Sequence, residues 1–310
     1  MYPSFGELFG ESISAYFSLL LFGYAVAIYS VVRWAKRVGV DHQSIIDCGL
    51  ASIIGGVLGG RVLHVLADGY FMDYVHLCTD PARVGWRITE AQCSQSQGAW
   101  DAALRVCHPV ERDCLAWAKF YNGGLAYYGG LIGGTWGVAI IAKRDRLPLR
   151  KISDMTAMGV AMGLFFGRIG CFLAGCCYGE VTTRAVGTRF PAWSPASEGQ
   201  FRAGLLAHPS AVSLPVHPTQ LYEAVGCLLI SVVLSQWGPR YKRFDGQVAL
   251  IALVAYAVLR SVIEEFRADD RGVYLGLSTS QWVSLGILLA VALAWRKWSH
   301  PSSPSAQPAR

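Results

Sequence analysis

The sequence predicts an all-α membrane protein that crosses the bilayer about seven times. Of its 310 residues, 53% are hydrophobic and only 15% are charged, and the mean hydropathy is +0.35. Soluble domains carry about 25% charged residues, so this composition is typical of a membrane protein. The second observation is a series of apolar stretches, each about as long as a transmembrane helix.

Seven such stretches follow one another and define a single membrane domain over residues 1–298. Their approximate bounds are 13–32, 44–66, 122–142, 153–173, 221–237, 246–265 and 280–295. The remaining stretch, 299–310, is rich in Pro and Ser. Such a composition buries too little apolar surface to fold, so we expect a disordered cytoplasmic tail.

Basic residues between the spans predict the orientation. The loops after the first, third, fifth and seventh spans are short and basic, and the positive-inside rule places such loops in the cytoplasm. Their basic residues are Arg33, Lys36, Arg37, Lys143, Arg144, Arg146, Arg150, Lys151, Arg240, Lys242, Arg243, Arg296 and Lys297. The N-terminus is therefore expected outside and the C-terminus inside. Since the net charge of +6 is spread over these loops, no nucleic-acid partner is predicted.

Two long loops, 67–121 and 178–220, are predicted to lie outside. The first holds four cysteines, an even number in a compartment where disulfides persist. They are Cys78, Cys93, Cys107 and Cys114. We expect two disulfides that staple a small outer subdomain, with three pairings open. A zinc site that uses His76 or His108 is the alternative, but no Cys-x-x-Cys spacing supports a metal.

A few charged residues lie inside or at the edge of the spans. The ones that bear on a site are Arg61, Arg168, Glu223, Arg260, Glu264 and Glu265. An arginine in an apolar span costs about 2.5–3.5 kcal/mol on insertion scales, so it faces the protein interior or a wet cavity. Arg260 and Glu264 are four residues apart and can pair on a helix without any ligand. Because three arginines exceed what one pair neutralises, we expect an outward-facing cavity for an anionic lipid headgroup, whose phosphate matches the guanidinium fork.

Three further segments carry polar or glycine patterns. HPTQLYE at 217–223 brings an imidazole, an amide, a phenol and a carboxylate within two helical turns. It predicts either the entrance of a site or a proline-initiated helix with polar anchors at the membrane surface. GGVLGG at 55–60 predicts close helix packing, and six glycines lie in 121–134. No nucleotide- or cofactor-binding motif occurs, so no cofactor is predicted.

Together these segments resemble the prolipoprotein diacylglyceryl transferase family, in its order and spacing, outside the cysteine loop and the tail. The matching pieces are GGRVLHVL at 59–66, YNGGLAYYGGLIGG at 121–134, GRIGCFLAGCCYG at 167–179, HPTQLYEA at 217–224 and YAVLRSVIEEFRADD at 256–270. The resemblance implies a bacterial inner-membrane enzyme whose active site faces the outer half of the bilayer. It would transfer the diacylglyceryl group of phosphatidylglycerol to the lipobox cysteine of a preprolipoprotein, forming a thioether and releasing glycerol phosphate.

The resemblance and the charge pattern together give the candidate site. Arg168 and Arg260 match essential arginines of the family, Glu223 and Glu264 match acids, and Gly179 matches a functional glycine. The predicted catalytic residues are Arg168, Arg260, Glu264, Tyr128 and His217. The predicted substrate-binding residues are Arg61, Tyr16, Glu223, Gln220, Tyr222, Cys171, Cys176, Gly179 and Arg267.

The chain departs from the family pattern at four positions. After its arginine the family reads Gly-Asn-Phe-x-Asn-Gly-Glu, whereas here Cys171, Ala174 and Cys176 replace the two asparagines and the glutamate. Tyr128 stands where the family has a histidine. The arginines survive, but the polar groups that could hold substrate or move a proton have changed.

These departures leave the general base open among Tyr128, Glu264 and His217. They also leave two alternative functions. The first is a related transferase with another acceptor, including self-lipidation at a cysteine within 171–177. The second is a non-catalytic protein that binds phospholipid.

Overall fold

The computed structural model describes residues 4–8, 11–67, 69–86, 90–119, 125–208, 210–267 and 273–299. These residues contain ten α-helices and three short β-hairpins. The helices are α1 (Ala15–Val38), α2 (His42–Ala67), α3 (Phe71–Thr79), α4 (Glu90–Gln95), α5 (Tyr127–Arg144), α6 (Leu149–Ala174), α7 (Pro195–Arg202), α8 (Thr219–Tyr241), α9 (Gln247–Glu264) and α10 (Thr279–Ser299). The antiparallel hairpins are β1 (Ser4–Leu8) with β2 (Glu11–Ser14), β3 (Ala99–Asp101) with β4 (Val106–His108), and β5 (Val273–Tyr274) with β6 (Leu277–Ser278).

Five helices, α1, α2, α6, α8 and α9, are long and apolar enough to cross a membrane. The chain is therefore a mostly helical polytopic membrane protein. Helices α5 and α10 occupy the third and seventh predicted spans, so the count of seven stays a prediction. The predicted tail beyond Ser299 and the first residues of the third span, 122–124, lie outside the described residues.

The helices extend past the apolar stretches into the basic segments. Helix α1 continues beyond residue 32 to Val38 and carries Lys36 and Arg37 in its last turn. Cations are favourable there because the C-terminal end of a helix bears partial negative charge. Gly39 then ends the helix at φ 71°, where its N–H donates to the Ala35 carbonyl.

The chain divides into two compact units, Met1–His42 with Pro148–Arg310, and Gln43–Leu147. In the first, α6 packs against α1, α8 and α9, and α10 packs against α9. The fully buried Asp154 fixes the start of α9, since it accepts hydrogen bonds from the N–H groups of Gly246 (2.9 Å) and Ala249 (3.0 Å). A carboxylate at this position complements the partial positive charge of the helix N-terminus.

In the second unit, α2 and α5 approach backbone to backbone. A Cβ on Gly59 would clash with the Gly129 carbonyl, and one on Gly55 would clash with the Gly133 carbonyl. Small residues permit this approach between apolar helices. The prediction of close packing at 55–60 is thereby confirmed.

The long loop of this unit contains α3, α4 and the β3–β4 hairpin. Its four cysteines form two disulfides, Cys78–Cys114 and Cys93–Cys107. One of the three open pairings is thus selected, and these thiols are not left for a zinc ion. The location of the loop outside the membrane stays a prediction.

Candidate active site

The fourth predicted span brings Arg168 to a buried carboxylate on a neighbouring helix. Arg168 Nη2 on α6 lies 2.9 Å from Oε1 of Glu223 on α8, whose side chain is only 1% exposed. The Tyr256 hydroxyl on α9 donates to the same oxygen at 2.9 Å. Three helices therefore fix this guanidinium, which still keeps 21% of its side-chain surface exposed. A buried carboxylate with two such partners positions the arginine as well as neutralising it.

A second pair follows on α9. Arg260 Nη2 lies 2.5 Å from Glu264 Oε2, so the ion pair predicted from the four-residue spacing is present. The contact is not aligned as a hydrogen bond, because that oxygen is buried without a hydrogen-bond donor among the described residues. Arg260 Nη2 donates instead to the Ser280 hydroxyl at 3.1 Å.

The other terminal nitrogen of Arg260 is incompletely satisfied. Its Nη1 is buried and has no hydrogen-bond acceptor within the described parts of the chain. Leaving a buried donor unmet costs about 1–3 kcal/mol, and more for a charged group. Each such atom in a native structure calls for an explanation, and a ligand that supplies the acceptor is one.

One face of α9 contributes to both ion pairs, Arg168 with Glu223 and Arg260 with Glu264. Tyr256, Arg260 and Glu264 are spaced four residues apart, so they lie on successive turns of the same face. Tyr256 was missed by the sequence analysis, although its spacing from Arg260 was a usable signal. Ser280 was also missed, and no pattern in the sequence links it to Arg260.

The turn after α6 holds a set of thiols in a constrained backbone. Gly175 and Cys177 both have positive φ, 75° and 60°. From the first turn of α8, the Thr219 hydroxyl donates to the Cys177 carbonyl at 2.8 Å and the Gln220 amide donates to the Cys176 carbonyl at 2.6 Å. Both α8 side chains are buried.

The sulfur atoms of Cys171, Cys176 and Cys177 all lie within 4.8 Å of one another. Tyr16 on α1 is close enough to interact electrostatically with these thiols and with Arg168. Beyond the end of α6, hydrogen bonding with the Cys171 thiol, and then with Cys176, lowers the pKa of the Cys177 thiol. The predicted substrate-binding residues Tyr16, Cys171 and Cys176 thus lie in one neighbourhood.

Gly179 marks a close approach of three segments. Its N–H donates to the His217 carbonyl at 2.9 Å, and a Cβ at this position would clash with the Phe266 carbonyl. It also forms an isolated bridge with the buried Arg267. The His217 ring lies 3.1 Å from the Tyr222 hydroxyl, measured from Nδ1. The requirement for glycine here therefore has a packing cause.

Arg61 and Tyr128 belong to the unit Gln43–Leu147. Arg61 donates from Nε to the Trp117 carbonyl at 2.6 Å and from Nη2 to the Ala116 carbonyl at 2.7 Å. Its guanidinium also lies over the Tyr74 ring, 5.2 Å from the centroid. The Tyr128 side chain on α5 is 66% exposed. The roles assigned to these two residues stay predictions, and Arg61 already has protein partners.

Comparison with known proteins extends the likeness over nearly the whole chain. The family described as prolipoprotein diacylglyceryl transferase matches residues 3–296. A Clostridium tetani protein named phosphatidylglycerol–prolipoprotein diacylglyceryl transferase is 30% identical over 285 residues, 92% of this chain and 93% of that protein. A Clostridium perfringens protein of the same name, numbered 2, is 26% identical over 290 residues, 94% and 93% of the two chains. A Corynebacterium diphtheriae protein of that name is 29% identical over 283 residues, 91% and 86%.

Proposed function

Because the chain belongs to the prolipoprotein diacylglyceryl transferase family, we propose that it transfers the diacylglyceryl group of phosphatidylglycerol to the lipobox cysteine of preprolipoproteins. It acts as a transferase in lipoprotein biosynthesis. In the reaction the acceptor sulfur bonds to the carbon of the diacylglyceryl group that is esterified to the phosphate. The carbon–oxygen bond breaks and glycerol phosphate leaves with the bonding electrons.

The observation that carries the proposal is the buried Nη1 of Arg260, which has no acceptor among the residues that the structure describes. A guanidinium presents five N–H donors in a planar fork that matches phosphate oxygens. The hydrogen bond from Arg260 to Ser280 uses Nη2 and leaves Nη1 for an anionic oxygen. A phosphate diester fits this requirement and belongs to the proposed substrate.

Arg168 supplies the second cation. Glu223 and Tyr256 hold it in place from two helices, so little reorganisation is needed when the substrate binds. Negative charge grows on the phosphate oxygens as the glycerol carbon–oxygen bond breaks. Preorganised cations aimed at that charge stabilise the transition state more than the bound substrate.

Phosphatidylglycerol also needs room for its acyl chains. A mostly apolar groove beside α8 and α9 is lined by Leu259, Val262 and Phe266, together with the polar side chains of His217, Tyr222 and Arg184. An acyl chain in this groove would place polar atoms of the lipid toward the imidazole and phenol. This supports substrate-binding roles for His217 and Tyr222. His217 stays one of three candidates for the general base, with Glu264 and Tyr128 as the other two.

The membrane arrangement is part of the proposal. We place α5 and α10 in the bilayer with the five apolar helices, which gives seven spans, an outside N-terminus and an inside C-terminus. The basic ends of α1, α5, α8 and α10 then face the cytoplasm. The active site lies in the outer half of the bacterial inner membrane, and the disulfide-stapled loop forms an outer subdomain.

The test combines a cellular and a biochemical assay. In a bacterium depleted of its own transferase, this chain should restore thioether formation on lipoproteins, and Arg168→Ala should not. The purified chain should move labelled diacylglycerol from phosphatidylglycerol to a lipobox peptide but not to the peptide with serine in place of cysteine. If neither assay shows transfer, although the purified chain binds phosphatidylglycerol, the proposed reaction is refuted. That result would favour a non-catalytic lipid-binding protein.

A further inference from the structure

The three thiols that follow Arg168 have the spacing of a metal site. The sulfur atoms of Cys171, Cys176 and Cys177 all lie within 4.8 Å of one another. Zinc–sulfur bonds of about 2.3 Å in a tetrahedral centre place two sulfurs about 3.8 Å apart. Side-chain shifts below about 1 Å would therefore suffice to bring all three sulfurs onto one zinc ion.

The backbone that carries two of these thiols is already held in position. The Cys176 and Cys177 carbonyls accept hydrogen bonds from the buried side chains of Gln220 and Thr219. Cys177 adopts a φ of 60°, which non-glycine residues seldom do and which surrounding structure must enforce. Outer contacts of this kind orient the ligands of metal centres.

Two more features of the surroundings suit a centre of one metal ion, three thiolates and an added polar ligand. One is a buried oxygen without a donor among the described residues, and the other is nearby positive charge. Gln220 Oε1 is buried and has no hydrogen-bond donor among the described residues. Arg168 and Arg267 both interact electrostatically with Cys177. One zinc ion with three thiolates carries a net charge of −1, which these guanidinium groups would stabilise. The same Arg168 belongs to the proposed phosphate site, and it lies one turn before Cys171 on α6.

We propose that Cys171, Cys176 and Cys177 bind one zinc ion and that its fourth coordination position takes the thiol of the acceptor cysteine. This inference rests on the proposed function, which supplies a thiol acceptor. Three protein ligands and one open position are the arrangement of catalytic zinc, whereas structural zinc sites are closed by four ligands. Thiolates are soft ligands that select zinc over magnesium or calcium.

The chemistry balances without an oxidant or reductant. The acceptor thiol releases its proton to solvent as it binds zinc, because the thiolate is the coordinating form. The zinc-bound sulfur attacks the glycerol carbon, the sulfur–carbon bond forms, and the carbon–oxygen bond to phosphate breaks. The neutral thioether coordinates more weakly than a thiolate and leaves. In this proposal, zinc bound by the three thiols activates the acceptor. Two of these thiols, Cys171 and Cys176, stand where the family pattern has asparagine and glutamate.

The first experiment measures metal content without reference to activity. The full-length chain, purified in detergent with zinc present, should retain about one zinc ion per chain, and Cys177→Ser should lose most of it. Cys48→Ser is the matched control, because Cys48 is also a buried free thiol but belongs to the other compact unit. Cobalt loading should give a thiolate-to-cobalt charge-transfer band in the wild type and in Cys48→Ser. A chain that binds neither zinc nor cobalt, retains copper alone, or forms a disulfide among the three cysteines overturns the proposal.

The second experiment tests the open position. A lipobox peptide should change the ligand-field spectrum of the cobalt-loaded chain, and the serine peptide should not. Removing zinc from the wild type with a chelator should lower transfer by about tenfold or more, and zinc should restore it, a test that does not depend on the folding of a variant. Full transfer activity without zinc refutes the proposed role of zinc in activating the acceptor thiol and leaves the proposed function standing. A spectral response to the peptide without any transfer supports the site and refutes the proposed function.

Discussion

The two compact units solve the packing of apolar helices by different means. In Gln43–Leu147, glycines on α2 and α5 let the backbones touch, and two disulfides close the long loop. In the unit that contains α6, α8 and α9, the helices instead carry ion pairs between buried or partly buried side chains, with Glu223 at 1% exposure. This second arrangement leaves a cationic donor, Arg260 Nη1, without an acceptor among the described residues.

The difference is clearest between two arginines, one in each unit. Arg61 has main-chain carbonyl groups as acceptors for Nε and Nη2. Arg260 has Glu264 and Ser280 for one terminal nitrogen and no described acceptor for the other. An apolar environment makes an unmet donor expensive, about 1–3 kcal/mol. The main-chain contacts of Arg61 are therefore those of a structural arginine, whereas the unmet donor of Arg260 supports the proposed phosphate site.

The largest expected effect is at Arg168. Arg168→Lys should lower diacylglyceryl transfer by about a hundredfold or more, nearly as much as Arg168→Ala, because a lysine keeps the charge but loses the two-pronged geometry. The measurement is the rate of labelled diacylglycerol transfer to a lipobox peptide. Arg202→Lys on α7 is the control, since its side chain is 79% exposed. A wild-type rate in Arg168→Lys would mean that this residue supplies charge or pairing alone.

Glu264→Gln should come next. The substitution keeps the shape but removes the charge that neutralises Arg260, and we expect kcat/KM to fall by about ten- to a hundredfold. The control is Glu198→Gln on α7, where Glu198 and Arg202 form an exposed pair with the same four-residue spacing. Equal effects of the two substitutions would remove the distinction between a functional and a surface ion pair.

Much of this site could be predicted from the sequence because full charges are rare in apolar spans. Arg168, Arg260 and Glu223 stand out for that reason, and the pairing within α9 follows from helical spacing alone. The partnership of Arg168 with Glu223 could not be predicted, because it depends on the packing of α6 against α8. The role of Tyr256 was not predicted because a tyrosine in an apolar helix is common and carries no charge. The closeness of three thiols depends on the left-handed turn at Cys177, which the sequence does not signal.

A smaller effect, on stability, is expected at the helix contact of the other unit. Gly59→Ala should lower the free energy of unfolding by about 1–3 kcal/mol, because the new Cβ clashes with the Gly129 carbonyl. Gly56→Ala on the same helix is the matched control, since a Cβ there would meet the Gly130 carbonyl oxygen at 3.5 Å, an ordinary contact. The comparison is read from Tm in detergent. Equal Tm values for the two variants would show that backbone contact does not limit the stability of this unit.

The smallest expected effect on transfer is at Arg61. Arg61→Lys loses the fork that reaches two carbonyl groups at once, so Tm should fall by a few degrees, the result of about 1 kcal/mol. Transfer at saturating phosphatidylglycerol should stay within about threefold of wild type, because the proposed function assigns phosphate binding to Arg168 and Arg260. The charge pattern of the sequence predicts that Arg61 binds substrate, and the assay decides between that role and a structural one. A large rise in KM with an unchanged Tm would show that Arg61 binds the lipid. Arg61 would then no longer be a structural arginine that contrasts with Arg260.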